Sequence, residues 1–209
     1  MSNLYLRLLS SFFLVPLFLY LLFINNFFLK IFILILFIIS IYELKFLIKK
    51  KLFFFLFSLL IIFVFSFFNI RGNTIGDYYF ILWIILIVWL TDIGGFFIGK
   101  LVKGPKFSAL SPKKTYSGAI GSIFFSQFSL LLINQFHIIF SYNYKIMLIQ
   151  FLLSCISIFG DLFFSYIKRK YNIKDYSNII PGHGGILDRI DGLIFVIIIS
   201  NLLKILNVF

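Results

Sequence analysis

The stretch LFFFLFSLLIIFVFSFFN, residues 52–69, decides the fold because it runs for eighteen residues without a charged side chain. An α-helix needs about 20 mostly apolar residues to cross the roughly 30 Å hydrocarbon core of a bilayer. The whole chain has the same character, since 62% of its 209 residues are hydrophobic and only 12% are charged, far from soluble globular composition. The stretch therefore predicts one transmembrane helix of an integral membrane protein.

Similar apolar runs recur along the chain and give seven candidate spans. They are residues 8–23, 27–47, 52–69, 78–99, 118–140, 145–168 and 189–207. The first run lacks a small-residue cleavage site and leads straight into the second, so we expect it to be retained rather than removed as a signal peptide. The sequence predicts an all-α, polytopic membrane protein with about seven transmembrane helices.

The basic residues indicate the orientation of these helices. With the N-terminus in the cytoplasm, fifteen of the nineteen Lys and Arg residues fall on the cytoplasmic side. This asymmetry follows the positive-inside rule. The net charge of +12 then reflects topology and attraction to anionic membrane lipids, so we expect no nucleic-acid partner.

Topology does not require acidic residues, so their positions say more about function. The seven are Glu43, Asp77, Asp92, Asp161, Asp175, Asp188 and Asp191. All but Asp77 fall at or near the predicted cytoplasmic ends of spans. Because carboxylates at membrane depth are costly and usually face a polar cavity, we predict that they share one polar chamber.

The sixth span shows how such a chamber could be lined. Ser154, Ser157, Asp161, Ser165 and Lys168 follow one another at spacings of 3, 4, 4 and 3, which places them on one helical face. A serine stripe used only for helix contacts is the alternative, but it explains the aspartate poorly.

Small residues recur at helical spacing in the fourth and fifth spans. The first set is Asp92, Gly95 and Gly99, and the second is Gly118, Ser122, Ser126 and Ser129. The glycines and serines indicate close helix packing, and only Asp92 stands apart from that interpretation.

The segment KDYSNIIPGHGGILDRID, residues 174–191, gathers polar residues around a glycine turn. Backbone N–H groups of such a turn can approach an anion, and a helix begins directly afterwards. Asp188 and Asp191 share a face of that helix, and with a substrate phosphate they make a typical Mg²⁺ site. Alternatively, Asp188 caps the helix and Asp191 complements its dipole. His183 is not assigned to the metal, because Mg²⁺ does not favour imidazole.

These residues carry a family resemblance. SYIKRKYNIKDYSNIIPGHGGILDRID, residues 165–191, resembles the signature of the phosphatidate cytidylyltransferases, the CDP-diacylglycerol synthases of the inner membrane. SPKKTYSG, residues 111–118, and TDIGGFFIGK, residues 91–100, are similar to two further blocks of that family. The resemblance runs from about Leu90 to the C-terminus, and Glu43 is a weaker match.

Some positions depart from the family pattern. Gly192 stands where Ser is usual, Ile93 where a hydroxyl residue is common, and Phe96 where Tyr is usual. The chain is also shorter than typical members, so we expect it to lack N-terminal spans. We divide its single membrane domain into N-terminal transmembrane helices, residues 1–89, and a catalytic transmembrane region with cytoplasmic loops, residues 90–209.

The resemblance implies that CTP and phosphatidate react to give CDP-diacylglycerol and pyrophosphate. It implies a multi-pass protein of the inner (plasma) membrane, with its active site facing the cytoplasm, and usually a homodimer. Two anionic reactants require charge neutralisation and in-line positioning, which suits Mg²⁺, with a second cation left open.

The resemblance also implies site residues. The expected catalytic residues are Asp161, Asp188, Asp191, Lys168 and Arg169, and the three aspartates are the expected metal ligands. The expected substrate-binding residues are Lys114, Thr115, Ser165, Lys174, Gly184, Gly185 and Asp92, the last orienting a cation or a lysine.

Three other functions remain open at this point. A CDP-alcohol phosphotransferase also uses clustered aspartates, but its Asp-Gly-x-x-Ala-Arg arrangement is missing from the sequence. A CTP-dependent polyprenol kinase would make a lipid monophosphate and release CDP. A transporter could line a cavity with carboxylates, and it would not consume CTP.

Overall fold

Most of the chain folds into α-helices, as the apolar runs predict. The computed structural model describes residues 3–24, 26–45, 50–108, 111–136, 140–141, 143–180, 182 and 184–209, with the backbone alone at 3–11, 24, 26, 45, 107, 108 and 111–113. The helices are α1 (Asn3–Ile24), α2 (Asn26–Lys45), α3 (Lys50–Arg71), α4 (Ile75–Val102), α5 (Tyr116–Ser126), α6 (Phe128–Asn134), α7 (Tyr144–Lys170) and α8 (Leu187–Ile205). An antiparallel hairpin of β1 (Lys106–Ser108) and β2 (Ser111–Thr115) connects α4 to α5.

The predicted all-α class is confirmed, and each of the seven predicted spans contains a helix. Within the described residues, five segments are long and apolar enough to cross a membrane. They are Phe27–Leu44, Lys50–Arg71, Ile75–Val102, Tyr116–Asn134 and Tyr144–Lys170. The first helix adds the shorter apolar segment Phe12–Phe23, and the end of the predicted second span, residues 46–47, lies outside the described residues. The number of spans and the cytoplasmic N-terminus stay predictions.

The fifth predicted span, residues 118–140, differs from the structure. The run divides into α5 and α6 with a break at Gln127, and the second helix ends at Asn134. Gln150 of α7 donates its side-chain Nε2 to the Ser126 carbonyl beside the break (3.4 Å). A buried carbonyl beside the break thus finds its donor on another helix, which an apolar pattern does not reveal. The hairpin before α5 is likewise absent from the sequence prediction.

Helix α4 packs against α3, α5, α6, α7 and α8, and most closely against α5. A Cβ atom added to Gly94 would lie 2.5 Å from the Gly121 carbonyl oxygen, and one added to Gly95 would lie 2.5 Å from the Ser122 hydroxyl. The contact between Gly95 and Ser122 confirms the predicted close packing of these two faces, whereas Gly94 and Gly121 lie outside the predicted faces and extend the contact. They bring the C-terminal half of α4 against α5.

A second close contact joins α7 to α8. A Cβ atom on Gly192 would lie 2.8 Å from the Ser157 hydroxyl, and one on Gly160 would lie 2.9 Å from the Asp191 carbonyl oxygen. Ser157 is buried, so this part of the serine face of α7 packs against a helix, as the alternative interpretation expected. Asp161 lies about one turn beyond Ser157 and therefore beside the first turns of α8.

Three charged residues, Arg71 at the end of α3, Asp77 in the first turn of α4 and Lys204 in the last turn of α8, meet at the other end of these helices. We call them the distal cluster. Asp77 forms a capping box with Thr74 at the start of α4 and accepts a hydrogen bond from Lys204 Nζ (2.8 Å). The buried Arg71 donates from Nε (3.1 Å) and Nη2 (2.7 Å) to the Leu22 carbonyl. The distal cluster thus connects the end of α3 to α1 and the start of α4 to the end of α8.

Candidate active site

A cavity of about 440 Å³ opens between α4, the start of α5, α7 and the start of α8. Five carboxylates line it: Asp92, Asp161, Asp175, Asp188 and Asp191. Three basic side chains line it as well: Lys114, Lys168 and Arg189. The lining therefore has a formal excess of two negative charges. The predicted polar chamber is confirmed for these five aspartates, whereas Glu43 lies outside the lining.

Asp161 faces the cavity from α7 and is paired with Lys114 from the end of β2. The Lys114 Nζ and Asp161 Oδ2 atoms form a salt bridge, and both side chains are about one-third exposed. Ser165, one helical turn further on, donates its hydroxyl to Asp161 Oδ1 (3.3 Å). The hairpin thus delivers to this carboxylate a lysine that is 47 residues away in the sequence.

Asp188, in the first turn of α8, is held on both carboxylate oxygens. Its Oδ1 accepts from Lys168 Nζ at 2.6 Å, and the side chains of this pair are only 2% and 11% exposed. Its Oδ2 accepts from the backbone N–H groups of Tyr176 (2.9 Å) and Gly185 (3.0 Å). A carboxylate has about four acceptor positions, so one remains for a further ligand. The alternative prediction that Asp188 caps α8 is wrong, because Ile186 occupies the N-cap position and the two N–H groups that Asp188 accepts from precede the helix.

The other carboxylates of the cavity are less engaged. Asp191 accepts from the Gly192 N–H at 2.8 Å, and within the described part of the chain neither it nor Asp92 nor Asp175 forms a salt bridge. The described residues also contain no preformed group of three or more His, Cys, Asp or Glu side chains that could hold a metal ion. A cation here would need ligands from the substrate as well as from the protein.

The basic residues that the sequence singles out occupy different surroundings. Lys168 is buried and Lys114 is half-buried, and both line the cavity. Arg169 and Lys174 are exposed and lie outside the lining, and Arg169 Nη1 donates to the Ile173 carbonyl (3.3 Å). The roles expected for Arg169 and Lys174 stay predictions.

The glycine turn binds carboxylates of the chain itself. Gly184 has a φ of +87° and pairs with Ile180 through backbone hydrogen bonds of 3.2 and 2.9 Å. The Gly185 N–H donates to Asp188, and the next two N–H groups donate to Glu43 (2.9 and 3.0 Å). The sequence predicts an anion on these N–H groups, and the anions they contact are protein carboxylates. Pro181 and His183 lie outside the described residues.

Thr115 lines the cavity and begins α5. Its hydroxyl oxygen accepts from the Gly118 N–H (3.1 Å) and shares a hydrogen bond with Ser117 Oγ (2.9 Å). The residue is therefore the N-cap of α5, a role that Ser and Thr favour. Its capping directs the start of this helix, with the partial positive charge of its first N–H groups, towards the cavity.

Tyr176 forms the wall behind the Lys168–Asp188 pair. Its ring lies 6.2 Å from the ring of Phe164, and Lys168 Nζ lies 5.6 Å from the ring centre. Burial, followed by the charges of Asp188 and other nearby carboxylates, raises the pKa of its hydroxyl. The Tyr176 hydroxyl therefore stays protonated, and this residue adds no further negative charge beside the Lys168–Asp188 pair.

Three participants were not among the expected site residues. Arg189 lines the cavity, although no site role was predicted for it. Asp175 lines it as well; it was expected in the polar chamber, but no catalytic or binding role was predicted for it. Glu43 supports the turn from α2, and its one sequence signal is a carboxylate at the end of an apolar span.

Comparison with known proteins places the cavity in a recognised family. The model of the cytidylyltransferase family matches residues 45–206. The chain is 42% identical over 125 residues to the phosphatidate cytidylyltransferase of Rickettsia conorii, with 56% of this chain and 54% of the relative covered. It is 42% identical over 120 residues to that of Staphylococcus aureus (56% and 46% covered) and 38% over 105 residues to that of Helicobacter pylori (50% and 39%).

The family match has two consequences. The chain spans about half the length of the curated relatives it matches. The match starts at residue 45 rather than near Leu90, and it contains every predicted site residue together with the whole lining of the cavity. The chain therefore belongs to the cytidylyltransferase family.

Proposed function

We propose that this chain is a phosphatidate cytidylyltransferase, which makes CDP-diacylglycerol and pyrophosphate from CTP and phosphatidate. One observation carries the proposal. Within the segment matched by the family, a single cavity holds two lysine–aspartate pairs together with three aspartates that form no salt bridge in the described chain. Relatives named phosphatidate cytidylyltransferase support the choice of substrates.

The reaction joins two anions. A phosphate oxygen of phosphatidate attacks the α-phosphorus of CTP, a new P–O bond forms, and the bond to the bridging oxygen breaks as pyrophosphate leaves. Because the cavity lining itself has a formal excess of two negative charges, the substrates would be repelled unless cations enter with them. Positioning and charge stabilisation therefore account for most of the catalysis.

We propose Mg²⁺ as the essential cation, held by Asp161 and Asp188, with Asp191 supporting this ion or a second one and Asp92 orienting a cation or a lysine. Mg²⁺ binds through one or two carboxylates plus substrate phosphates, which agrees with a site that has no preformed three-residue group among the described residues. When bound, it would neutralise phosphate oxygens and stabilise the leaving pyrophosphate. Whether a second cation takes part stays a prediction.

The lysines have a matching role. Lys114 and Lys168 each hold a carboxylate of the cavity in position, so neither aspartate is left as an uncompensated charge near the membrane. Once a carboxylate shares its charge with a cation, the ammonium group beside it can contact a phosphate oxygen. Arg189, which lines the cavity and is exposed, is placed to meet the nucleotide first.

We also propose that the protein crosses the plasma (inner) membrane several times, with the cavity at the cytoplasmic leaflet. The positive-inside distribution of Lys and Arg supports this orientation. CTP would enter from water, and phosphatidate would enter sideways with its acyl chains remaining in lipid. A homodimer stays a prediction from the family resemblance.

The deciding experiment supplies membranes containing the protein with phosphatidate, Mg²⁺ and CTP labelled at either the α- or the γ-phosphate. Cytidylyl transfer moves only the α-label into lipid and releases pyrophosphate, and chelation of Mg²⁺ abolishes it. A lipid kinase would move the γ-label instead, and a transporter would label no lipid. Lys103→Ala serves as a control variant. It should retain cytidylyl transfer, because this exposed lysine lies outside the cavity lining.

A further inference from the structure

Glu43 is a buried carboxylate that the cavity does not include. It lies in the last turn of α2, is only 3% exposed, and precedes the segment matched by the family. A buried carboxylate is costly unless hydrogen bonds compensate its charge. Its partners therefore indicate what it does.

Within the described residues, the three hydrogen-bond partners of Glu43 belong to the turn before α8 or to the start of that helix. Glu43 Oε1 accepts from the Ser177 hydroxyl (2.6 Å) and from the Ile186 N–H (2.9 Å). Glu43 Oε2 accepts from the Leu187 N–H (3.0 Å). The first N–H groups of a helix lack partners within it and carry partial positive charge. Ile186, the N-cap residue of α8, offers no side-chain hydrogen bond of its own, so Glu43 caps this helix from α2.

Gly185 is shaped to this cap. A Cβ atom added there would lie 2.8 and 2.9 Å from the two Glu43 oxygens, closer than real side chains approach. The glycine therefore permits the carboxylate to reach the backbone behind it. Glu43, Gly185 and the first turn of α8 therefore pack together closely.

The first turn of α8, packed against Glu43, borders the cavity directly. Three consecutive N–H groups are divided between two carboxylates, since Gly185 donates to Asp188 while Ile186 and Leu187 donate to Glu43. We propose that Glu43 is a positioning residue, which fixes the first turn of α8 and thereby sets Asp188 and Asp191 in the cavity. The expected effect of Glu43 on Mg²⁺ rests on the proposed function. The helix cap rests on the hydrogen bonds alone.

The test compares Glu43→Gln with Asp77→Asn, a matched loss of a helix-capping carboxylate at the distal cluster. In Glu43→Gln, an amide NH₂ faces a backbone donor, and amide hydrogen exchange at Ile186 and Leu187 should accelerate about tenfold or more, as expected for losing a hydrogen bond to a charged group. The Mg²⁺ concentration at half-maximal activity should rise about tenfold, with an unchanged KM for phosphatidate. Asp77→Asn should alter neither quantity, and Ser177→Ala, which retains both backbone contacts, should give a smaller shift in the same direction.

The outcomes separate the cap from the positioning role. Unchanged exchange at both amides in Glu43→Gln would overturn the cap. Faster exchange with an unchanged Mg²⁺ requirement would overturn the positioning role, since a merely structural residue lowers the amount of folded protein only. If Glu43→Gln does not fold, the same two measurements on Ser177→Ala decide.

Failure of the proposed function gives a different result. Wild-type protein would then incorporate no α-label at any Mg²⁺ concentration. Mn²⁺ binding to the purified protein, followed by electron paramagnetic resonance, then replaces the activity titration. Weaker Mn²⁺ binding by Glu43→Gln would still support the positioning role, and equal binding would overturn it.

Discussion

Charged residues cluster near both ends of α4 and α8, at the distal cluster and at the cavity. The two regions differ in how far their charges are paired within the protein. In the distal cluster, Lys204 Nζ contacts Asp77 at 2.8 Å and the Ile70 carbonyl at 3.3 Å. Arg71 donates from Nη1 to the Gly72 carbonyl (3.0 Å) as well as to α1, and its guanidinium lies 3.4 Å from the centre of the Tyr78 ring. Every charge in this cluster has a partner in the protein.

The cavity end has no such balance. Its five aspartates face three basic side chains, and Asp92, Asp175 and Asp191 form no salt bridge within the described residues. Partners within the protein offset the cost of burying a charge, whereas an excess of one sign beside a cavity is costly until a ligand of the opposite sign arrives. The difference separates a structural site from a binding site better than residue type does.

The largest expected effect comes from removing one charge at each end with the same substitution. Asp161→Asn should lower cytidylyl transfer by about 100-fold or more, the size expected when one electrostatic contact to the reacting groups is lost. Asp77→Asn should leave the rate per folded molecule within about twofold, because Asp77 lies outside the cavity lining and its contacts are with Thr74 and Lys204 of the distal cluster. Incorporation of α-labelled CTP into lipid, normalised to folded protein in the membrane, measures both. Near-normal turnover in Asp161→Asn would show that this carboxylate is no metal ligand.

In the distal cluster we expect the opposite result, a loss of stability without a loss of activity. Arg71→Ala removes three hydrogen bonds and a cation–π contact from a residue that is 1% exposed, so we expect a stability loss of about 3 kcal/mol. The rate per folded molecule should not change. Thermal unfolding in detergent measures the stability. A specific loss of turnover without loss of stability would show that the distal cluster takes part in function.

Gly192→Ser tests the contact that brings the two helices of the cavity together. The family resemblance predicts Ser at this position, but here a Cβ would lie 2.8 Å from the Ser157 hydroxyl and 3.1 Å from the Ser157 carbonyl oxygen. We expect a destabilisation of about 1–2 kcal/mol from overpacking. Ser157→Ala in the same chain should recover part of it, because the nearest clashing atom, the Ser157 hydroxyl oxygen, is then removed without placing a glycine inside α7. Equal stability with and without Ser157 would contradict this explanation.

Sequence reasoning succeeded where the physics is local. Apolar runs longer than a bilayer is thick predict helices, and aspartates near their ends predict a shared chamber, because few other environments tolerate them. It failed where a partner lies far along the chain. Lys114 reaches Asp161 through an unpredicted hairpin, and Glu43 reaches Leu187 across 144 residues.

The signature residues show a second limit. A motif specifies residue types and spacing, but the direction of each side chain depends on how the helix end and the following loop are packed. Lys168 and Arg169 are adjacent in the sequence, yet one is buried against Asp188 and the other is exposed. Arg189 reaches the cavity although its position looked topological.

The smallest expected effect distinguishes the two exposed arginines near the site. Arg189→Ala should raise the KM for CTP about fivefold, since an exposed charge contact contributes up to about 1 kcal/mol. Arg169→Ala should raise it by less, because Arg169 lies outside the lining and its Nη1 contacts the Ile173 carbonyl. Steady-state kinetics at saturating phosphatidate measures both, and higher ionic strength should reduce the difference between the two variants. A larger effect of Arg169 would mean that nucleotide approaches over the end of α7, and the order of the two arginines therefore reports the entry path of CTP.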